Sequence, residues 1–344
     1  MKVAIVLFNL GGPDSPQAVE PFLRNLFGDP AIISLPWIVR APLGRFIAHR
    51  RAPVARAIYD HIGGRSPILE QTQAQANALE AALGRDGIDV KCFIAMRYWH
   101  PFSDAAAKAV KAYNPDKIVL LPLYPQFSTT TSASSFLDWD RAAQRAGLKQ
   151  PVTRICCYPD EAGFVAAATQ RIAQTLKDTG DGAGWRLLLS AHGLPKRTIQ
   201  NGDPYQNHVE RSAAAITARL AMPALEAVVC YQSRVGPLEW IGPSTDAEIQ
   251  RAGADGKAVV VFPIAFVSEH SETLVELDIE YARLARTHGV LDYRRVPTVG
   301  TEPEFIDGLA NLVRQAIGEI ASADIINSAG VRICADVFCR CAME

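Results

Sequence analysis

The sequence predicts an α/β protein built on parallel sheets flanked by helices, and three observations carry that prediction. Short apolar runs rich in Val, Ile and Leu recur at residues 3–10, 90–96, 117–123, 152–157, 187–191, 227–231 and 258–262. Longer stretches of helical character separate them, the pattern of strands joined by helical crossovers. Polar and aromatic residues gather just past the strand ends, where an open α/β sheet puts its ligand crevice.

Taken in order, residues 3–10 read as a buried strand that runs into the turn Gly11-Gly12-Pro13-Asp14-Ser15-Pro16 and a helix over 17–26. The glycine pair could bring backbone close to a ligand, but no GxGxxG or Walker pattern accompanies it. Residues 32–48 are apolar and interrupted by Pro36, Arg40, Pro42 and Arg45, which rules out a spanning helix. This segment is either a core-packed helix and loop or an exposed apolar lip rimmed by Arg50 and Arg51. A loop over 63–68 precedes a helix over 69–83, and a strand over 90–96 ends in Arg97-Tyr98-Trp99-His100. A helix over 101–113 leads to the strand 117–123, Tyr124-Pro125-Gln126-Phe127 and a run of hydroxyls before a helix reaching Arg145. The second half repeats the alternation. A strand over 152–157 and a long helix over 161–179 come first. The strand 187–191 ends at His192, a helix spans 205–220, and the strand 227–231 ends at Gln232-Ser233-Arg234. After a loop around Trp240, the strand 258–262 feeds an acidic helix, and a helix over 302–320 closes the fold.

The length of 344 residues suits two domains or one large one. Lys and Arg number 35 against 36 Asp and Glu, so the chain lacks the basic footprint of a nucleic-acid binder. The N-terminus reads as strand and turn rather than as an export signal. Seven cysteines without such a signal point to reduced thiols or a metal site, not a disulfide framework.

The acidic helix is the centre of the functional reading. Ser268 is placed to cap it, Glu269 and Glu272 fall in its first turn, and Glu272, Glu276 and Glu280 recur every four residues along one face. Such a face is either merely solvated or a carboxylate ladder with His270 at its mouth, able to pass a divalent cation or protons into a cleft. His192, at a strand end, is either a structural histidine or a group that exchanges protons near neutral pH. Ser190 is not a hydrolase nucleophile, since Gly-x-Ser-x-Gly is absent. Trp240 is either a core filler or a flat wall for a flat aromatic ligand.

Several segments together resemble one family. Ser190-Ala191-His192-Gly193-Leu194-Pro195 with Gly202-Asp203-Pro204-Tyr205 resembles the ferrochelatase His motif. Tyr231-Gln232-Ser233-Arg234-Val235-Gly236-Pro237 with Trp240 and Gly242-Pro243, then residues 266–281, resemble its following segments. Residues 7–13, 63–68, 97–98 and 122–126 extend the match, which covers about 3–320 in order. The resemblance implies an enzyme, a lyase that inserts Fe²⁺ into a porphyrin to form haem. It implies a class II chelatase fold of two Rossmann-like lobes with the porphyrin clamped between them. The lobes are expected at 1–150 with about 303–325 and at 151–302, followed by a cysteine-containing tail over 326–344.

It further implies that His192 and Glu272 are catalytic and that His192, His270, Glu272, Glu276 and Glu280 handle the metal, on a helix with a π-type widening. Phe46, Arg51, Tyr59, Ser66, Arg97, Tyr98, Tyr124 and Trp240 are implied to bind the substrate, with Arg51, Tyr59 and Ser66 at its propionates. Trp37 falls with Phe46 on the lip. Metalation strips two pyrrole protons, so it needs a base near the ring and carboxylates that release iron. The apolar lip leans towards protoporphyrin rather than coproporphyrin, and towards a cytoplasmic enzyme peripheral on a membrane surface. Rival readings are a cobalt or nickel chelatase and a porphyrin carrier without turnover.

The tail carries Cys334, Cys339 and Cys341 in the spacing C-x4-C-x-C. Some ferrochelatases hold a [2Fe–2S] cluster on such a tail with a fourth cysteine from the body, which is the cofactor implied here. No cysteine stands at the animal-type body position, around Thr129. Cys92 and Cys230 read as core thiols. Cys156 and Cys157 face opposite sides of a strand's end by alternation, so one of them should supply the ligand, with Cys157 favoured as nearer the loop. A zinc site or free thiols are the alternatives.

Overall fold

The computed structural model describes residues 1–234, 236, 238–318, 324–329, 332–335 and 337–342. Val235 and Pro237 of the expected strand-end motif, Glu319 and Ile320 of the expected last helix, and parts of the tail lie outside these. The chain divides into two compact units, residues 1–156 with 310–326 and residues 157–309 with 327–344. The division runs through the last helix, and the tail groups with the second unit.

In the first unit, β1 (Lys2–Asn9) leads through a 3₁₀ turn (Pro16–Ala18) into α1 (Val19–Gly28) and α2 (Trp37–Asp60). There follow α3 (Ile68–Gly84), β2 (Asp89–Met96), α4 (Ser103–Tyr113), β3 (Lys117–Pro122), α5 (Ser132–Ala146) and β4 (Val152–Ile155). The second unit holds α6 (Ala162–Thr175), β5 (Trp185–His192), α7 (Lys196–Gln200), α8 (Tyr205–Leu220), β6 (Glu226–Gln232) and α9 (Thr245–Ala254). It continues with β7 (Ala258–Pro263), a π-helix (Glu272–Tyr281), α10 (Ala282–Thr287) and β8 (Tyr293–Arg295). The chain then forms α11 (Pro303–Ile317) and returns to the first sheet with β9 (Ile325–Ile326).

Both sheets are parallel throughout, in the orders β2-β1-β3-β4-β9 and β6-β5-β7-β8. A parallel sheet covered on both faces needs apolar residues at successive positions. β1 meets that need: every residue from Val3 to Asn9 is buried. On one face Ala4, Val6 and Phe8 pack on α4 and α5, with Phe8 edge-on to Phe136 and Trp139. In the second unit Leu188, Val259 and Val261 pack against Leu277 and Tyr281 of the π-helix. The strand order reverses between β1 and β3 in one sheet and between β5 and β7 in the other. Those are the points where an open sheet forms its crevice.

α2 settles the two readings of residues 32–48 in favour of exposure. Trp37, Ile38 and Phe46 are exposed on it, with Arg45, Arg50 and Arg51 alongside. Pro42 and Pro53 lie inside this helix, which is tied to α1 at Gly44. A Cβ at Gly44 would stand 2.8 Å from the Phe27 carbonyl oxygen, so only glycine allows that approach.

Candidate functional site

In the second unit, three segments bring side chains to the reversal point. β5 ends on His192, which pairs in register with Gln232 at the end of β6. β7 ends at Pro263 and leads to His270 and the π-helix. The expected helix start is corrected here. The helix begins after Ser271, with no side-chain cap, so Ser268 is not its N-cap. Glu269 lies outside the first turn and is spoken for: it meets Arg295 Nη1 at 2.6 Å and accepts the Thr298 N–H at 2.9 Å. His270 is buried rather than standing at a mouth, while His192 is the more open imidazole.

Glu272 is the meeting point. Its Oε2 lies 3.8 Å from His192 Nε2, 3.8 Å from His270 Nε2 and 3.4 Å from Ser233 Oγ. Burial pushes its carboxyl up, but His192, His270 and Ser233 outweigh that and hold it at about 2. Glu272 is therefore an anion at neutral pH. His270 moves the other way. Burial disfavours its charge, yet Glu272 and the Ser268 carbonyl raise it above the ordinary histidine value.

The His192 tautomer is fixed by geometry. Nδ1 lies 2.6 Å from the Gly193 carbonyl, which can only accept, so Nδ1 carries a hydrogen and Nε2 is the ring nitrogen turned toward Glu272. The Tyr205 hydroxyl donates to the His192 carbonyl at 3.1 Å. Trp240 is half-buried beside this turn, where a Cβ at Gly193 would come within 3.2 Å of its ring.

Glu276, one turn beyond Glu272, accepts hydrogen bonds from Ser233, Gln232 and Tyr281. Burial and the Glu272 charge raise its proton affinity, against the pull of those donors. Glu280 is exposed. Among the described residues, no group of three or more His, Cys, Asp and Glu side chains forms a ready-made metal cage.

In the first unit, β1, β2 and β3 bring Gly12, Ser66, Arg97, Tyr98 and Tyr124 to one sheet end. The Arg97 and Tyr98 N–H groups bond the Asn9 and Leu10 carbonyls, and a Cβ at Gly12 would meet Ser66 Oγ at 2.6 Å. Arg97 and Tyr98 converge on Asp29, at 2.8 Å each, and the Ser134 hydroxyl joins them at 2.6 Å. Arg97 and Asp29 line a cavity of about 550 Å³ with Phe102, Asp138 and Arg141. Tyr98 and Tyr59 are buried in the cluster formed with Val19, Phe22 and Ala52. Tyr124 is half-buried with its hydroxyl beside Ser135, and burial pushes its proton affinity up.

Three of the expected thiols fall together in the second unit. Cys157, Cys334 and Cys341 are buried, and Cys334 is hydrogen-bonded to Cys341 with Cys157 as a further electrostatic neighbour. His208 of α8, unnoticed in the sequence, joins them with Nε2 3.0 Å from Cys334 Sγ. Burial holds His208 at about 4, so this imidazole is neutral. Cys339 is exposed and rests on Gly202. Cys156, also buried, has its N–H bonded to Ile326 at the sheet edge.

Residues 2–317 match the ferrochelatase family model. The chain is 54% identical over 337 residues to the ferrochelatase of Caulobacter vibrioides, covering 97% of this chain and 96% of that one. It is 49% identical over 315 residues to the ferrochelatase of Pelagibacter ubique, with 91% of each covered. Its fold is similar to SirB from Bacillus subtilis with Fe³⁺, at a TM-score of 0.52 and 15% identity over 92% of this chain and 95% of that one. It is also similar to a SirB sirohydrochlorin chelatase in complex with cobalt, at a TM-score of 0.55 and 12% identity over the same shares.

Proposed function

Because this chain belongs to the ferrochelatase family, the lyases that insert ferrous iron into a porphyrin to make haem, we propose that His192, Glu272 and His270 carry out the insertion. The observation behind this reading is the anionic Glu272 carboxylate, whose Oε2 has two imidazole nitrogens at 3.8 Å. His192 Nε2 takes the two pyrrole protons one at a time, passing the first to water before it accepts the second. Each N–H bond broken leaves an anionic ring nitrogen for iron, and Glu272 stabilises the imidazolium that results. Glu272 and His270 meet the incoming cation, and exposed Glu280 lies further along the same helix. Oxygen and imidazole donors at these separations suit a cation that must be released again. Anaerobic mixing with Fe²⁺ and porphyrin should give the Soret change of metal insertion. Binding without that change would favour a carrier.

We infer that the substrate is protoporphyrin, supported by the apolar exposure of α2. Steady-state rates with protoporphyrin and coproporphyrin test this choice. Arg51, Tyr59 and Ser66 are the proposed propionate partners, Arg51 exposed and the other two buried. Arg97, Tyr98 and Tyr124 shape the first unit's strand ends, Phe46 supplies apolar contact, and Trp240 walls the His192 side.

Trp37, Ile38 and Phe46, with Arg45, Arg50 and Arg51, are proposed to hold the enzyme reversibly on an anionic bilayer. No helix among the described residues is long and apolar enough to cross one. Trp37→Ser with Phe46→Ser should lower recovery in liposome flotation severalfold, and unchanged flotation would count against the lip.

The tail thiols suit a thiolate-held group. Three buried sulfurs, from Cys157, Cys334 and Cys341, are the donor chemistry of an iron–sulfur or zinc site. Cys339 is the proposed fourth ligand, and it is the exposed one of the four. A [2Fe–2S] cluster there would supply a one-electron centre. Cys157 is the body cysteine favoured here, as an electrostatic neighbour of Cys334. Protein purified without air should hold about two irons per chain with acid-labile sulfide. Cys157→Ser should lose them and Cys156→Ser keep them. Colourless protein carrying zinc would overturn the cluster.

A further inference from the structure

We propose that Glu276 is a positioning residue, whose carboxylate ties the end of β6 to the π-helix and leaves Glu272 as the carboxylate that meets iron. This rests on the reading of His192 and Glu272 as the insertion site.

Glu276 is saturated. Its Oε1 accepts the Ser233 N–H at 2.8 Å and the Tyr281 hydroxyl at 3.0 Å. Its Oε2 accepts the Ser233 hydroxyl at 2.5 Å and the Gln232 amide at 3.1 Å. An ionised carboxylate offers about four lone-pair sites, and all are taken. A cation reaching Glu276 would have to strip these donors away. Glu272, by contrast, has Ser233 Oγ no nearer than 3.4 Å, its hydrogen already given to Glu276, and faces two imidazoles.

The clamp also holds a strained backbone. Ser233 lies in the left-handed region, with φ of 59°, where a residue with a Cβ stays only if its surroundings over-determine it. Both its N–H and its hydroxyl are fixed by Glu276. Gln232 extends the clamp in two directions. Its amide donates to the Glu272 carbonyl at 3.0 Å, and its Oε1 accepts from Ser190, two residues before His192. Tyr281 is buried in the core at the far end of the π-helix, and its hydroxyl faces Asp246 of α9 as well. The spacing of His192 from Glu272 is thus set by a network whose hub is Glu276.

A clamp and an iron ligand respond differently to substitution. The full chain without porphyrin is titrated with Co²⁺ and followed by its visible absorption, and turnover is measured with Fe²⁺ and Zn²⁺. Glu276→Gln should keep Co²⁺ affinity within about twofold and lower kcat by roughly tenfold or more with both metals, at unchanged metal KM. Ser233→Ala should do the same, and the double variant should be little worse than either, because both remove one clamp. Should Glu276→Gln fold poorly, Tyr281→Phe removes a single donor and should lower kcat in the same metal-independent way. The inference is overturned if Glu276→Gln weakens Co²⁺ as much as Glu272→Gln does, or raises metal KM while kcat holds. If Glu272→Gln itself leaves Co²⁺ binding and turnover intact, it is the underlying insertion site that fails.

Discussion

Glu272→Gln should lose metal insertion by roughly 10²- to 10³-fold, the scale of removing one preorganised charge from a reacting centre, while still binding porphyrin. The substitution keeps shape and removes charge. In the native site that charge is secure, because His192, His270 and Ser233 overcome the cost of burial and hold the carboxyl at about 2. Glutamine would present an uncharged amide to two imidazoles and give the arriving cation no anion. Porphyrin fluorescence quenching should show near-native binding, and anaerobic turnover should show the loss. Turnover close to wild type would sink the assignment of Glu272.

The second large effect is expected at His192. His192→Ala should cost about 10²- to 10⁴-fold in kcat, the usual range for a positioned general base. Its Nδ1 is committed to the Gly193 carbonyl, which leaves Nε2 as the one ring atom able to take a proton. Added imidazole should restore part of the rate, and porphyrin affinity should fall far less than kcat. Full activity without imidazole would show that the protons leave by another route.

The alternation of apolar runs and helices made both parallel sheets legible, because a strand buried on two faces leaves an unbroken apolar signature. β8 and β9, three and two residues long, gave no such signal. α9 is short and starts directly after the loop around Trp240, with Ser244 as its cap. Ser268 has the pattern of a helix cap, a serine before glutamates, but the chain spends Glu269 on Arg295 before the helix begins. The π-helix came from the resemblance, not from spacing, since carboxylates four apart share a face of an ordinary helix too. His208 was within reach. Tyr205, His208, Val209, Ser212, Ala213 and Ile216 repeat at helical spacing, which puts the imidazole on the buried face of α8. Asp29 and Ser233 could not be seen, because their roles depend on partners far away in sequence.

The two-part composition of each unit bears on how the protein is made. During synthesis the first 156 residues leave the ribosome with the outer edge of β4 unpaired, because β9, the strand that covers it, is built from Ile325 and Ile326. At about 5–20 residues per second, the roughly 170 residues between them take on the order of 10–30 s to appear. For that time the nascent sheet offers an open edge of the kind that other chains can pair with. A ribosome-bound fragment ending near residue 160 should therefore depend on chaperones for solubility, and one extended past β9 should depend on them less.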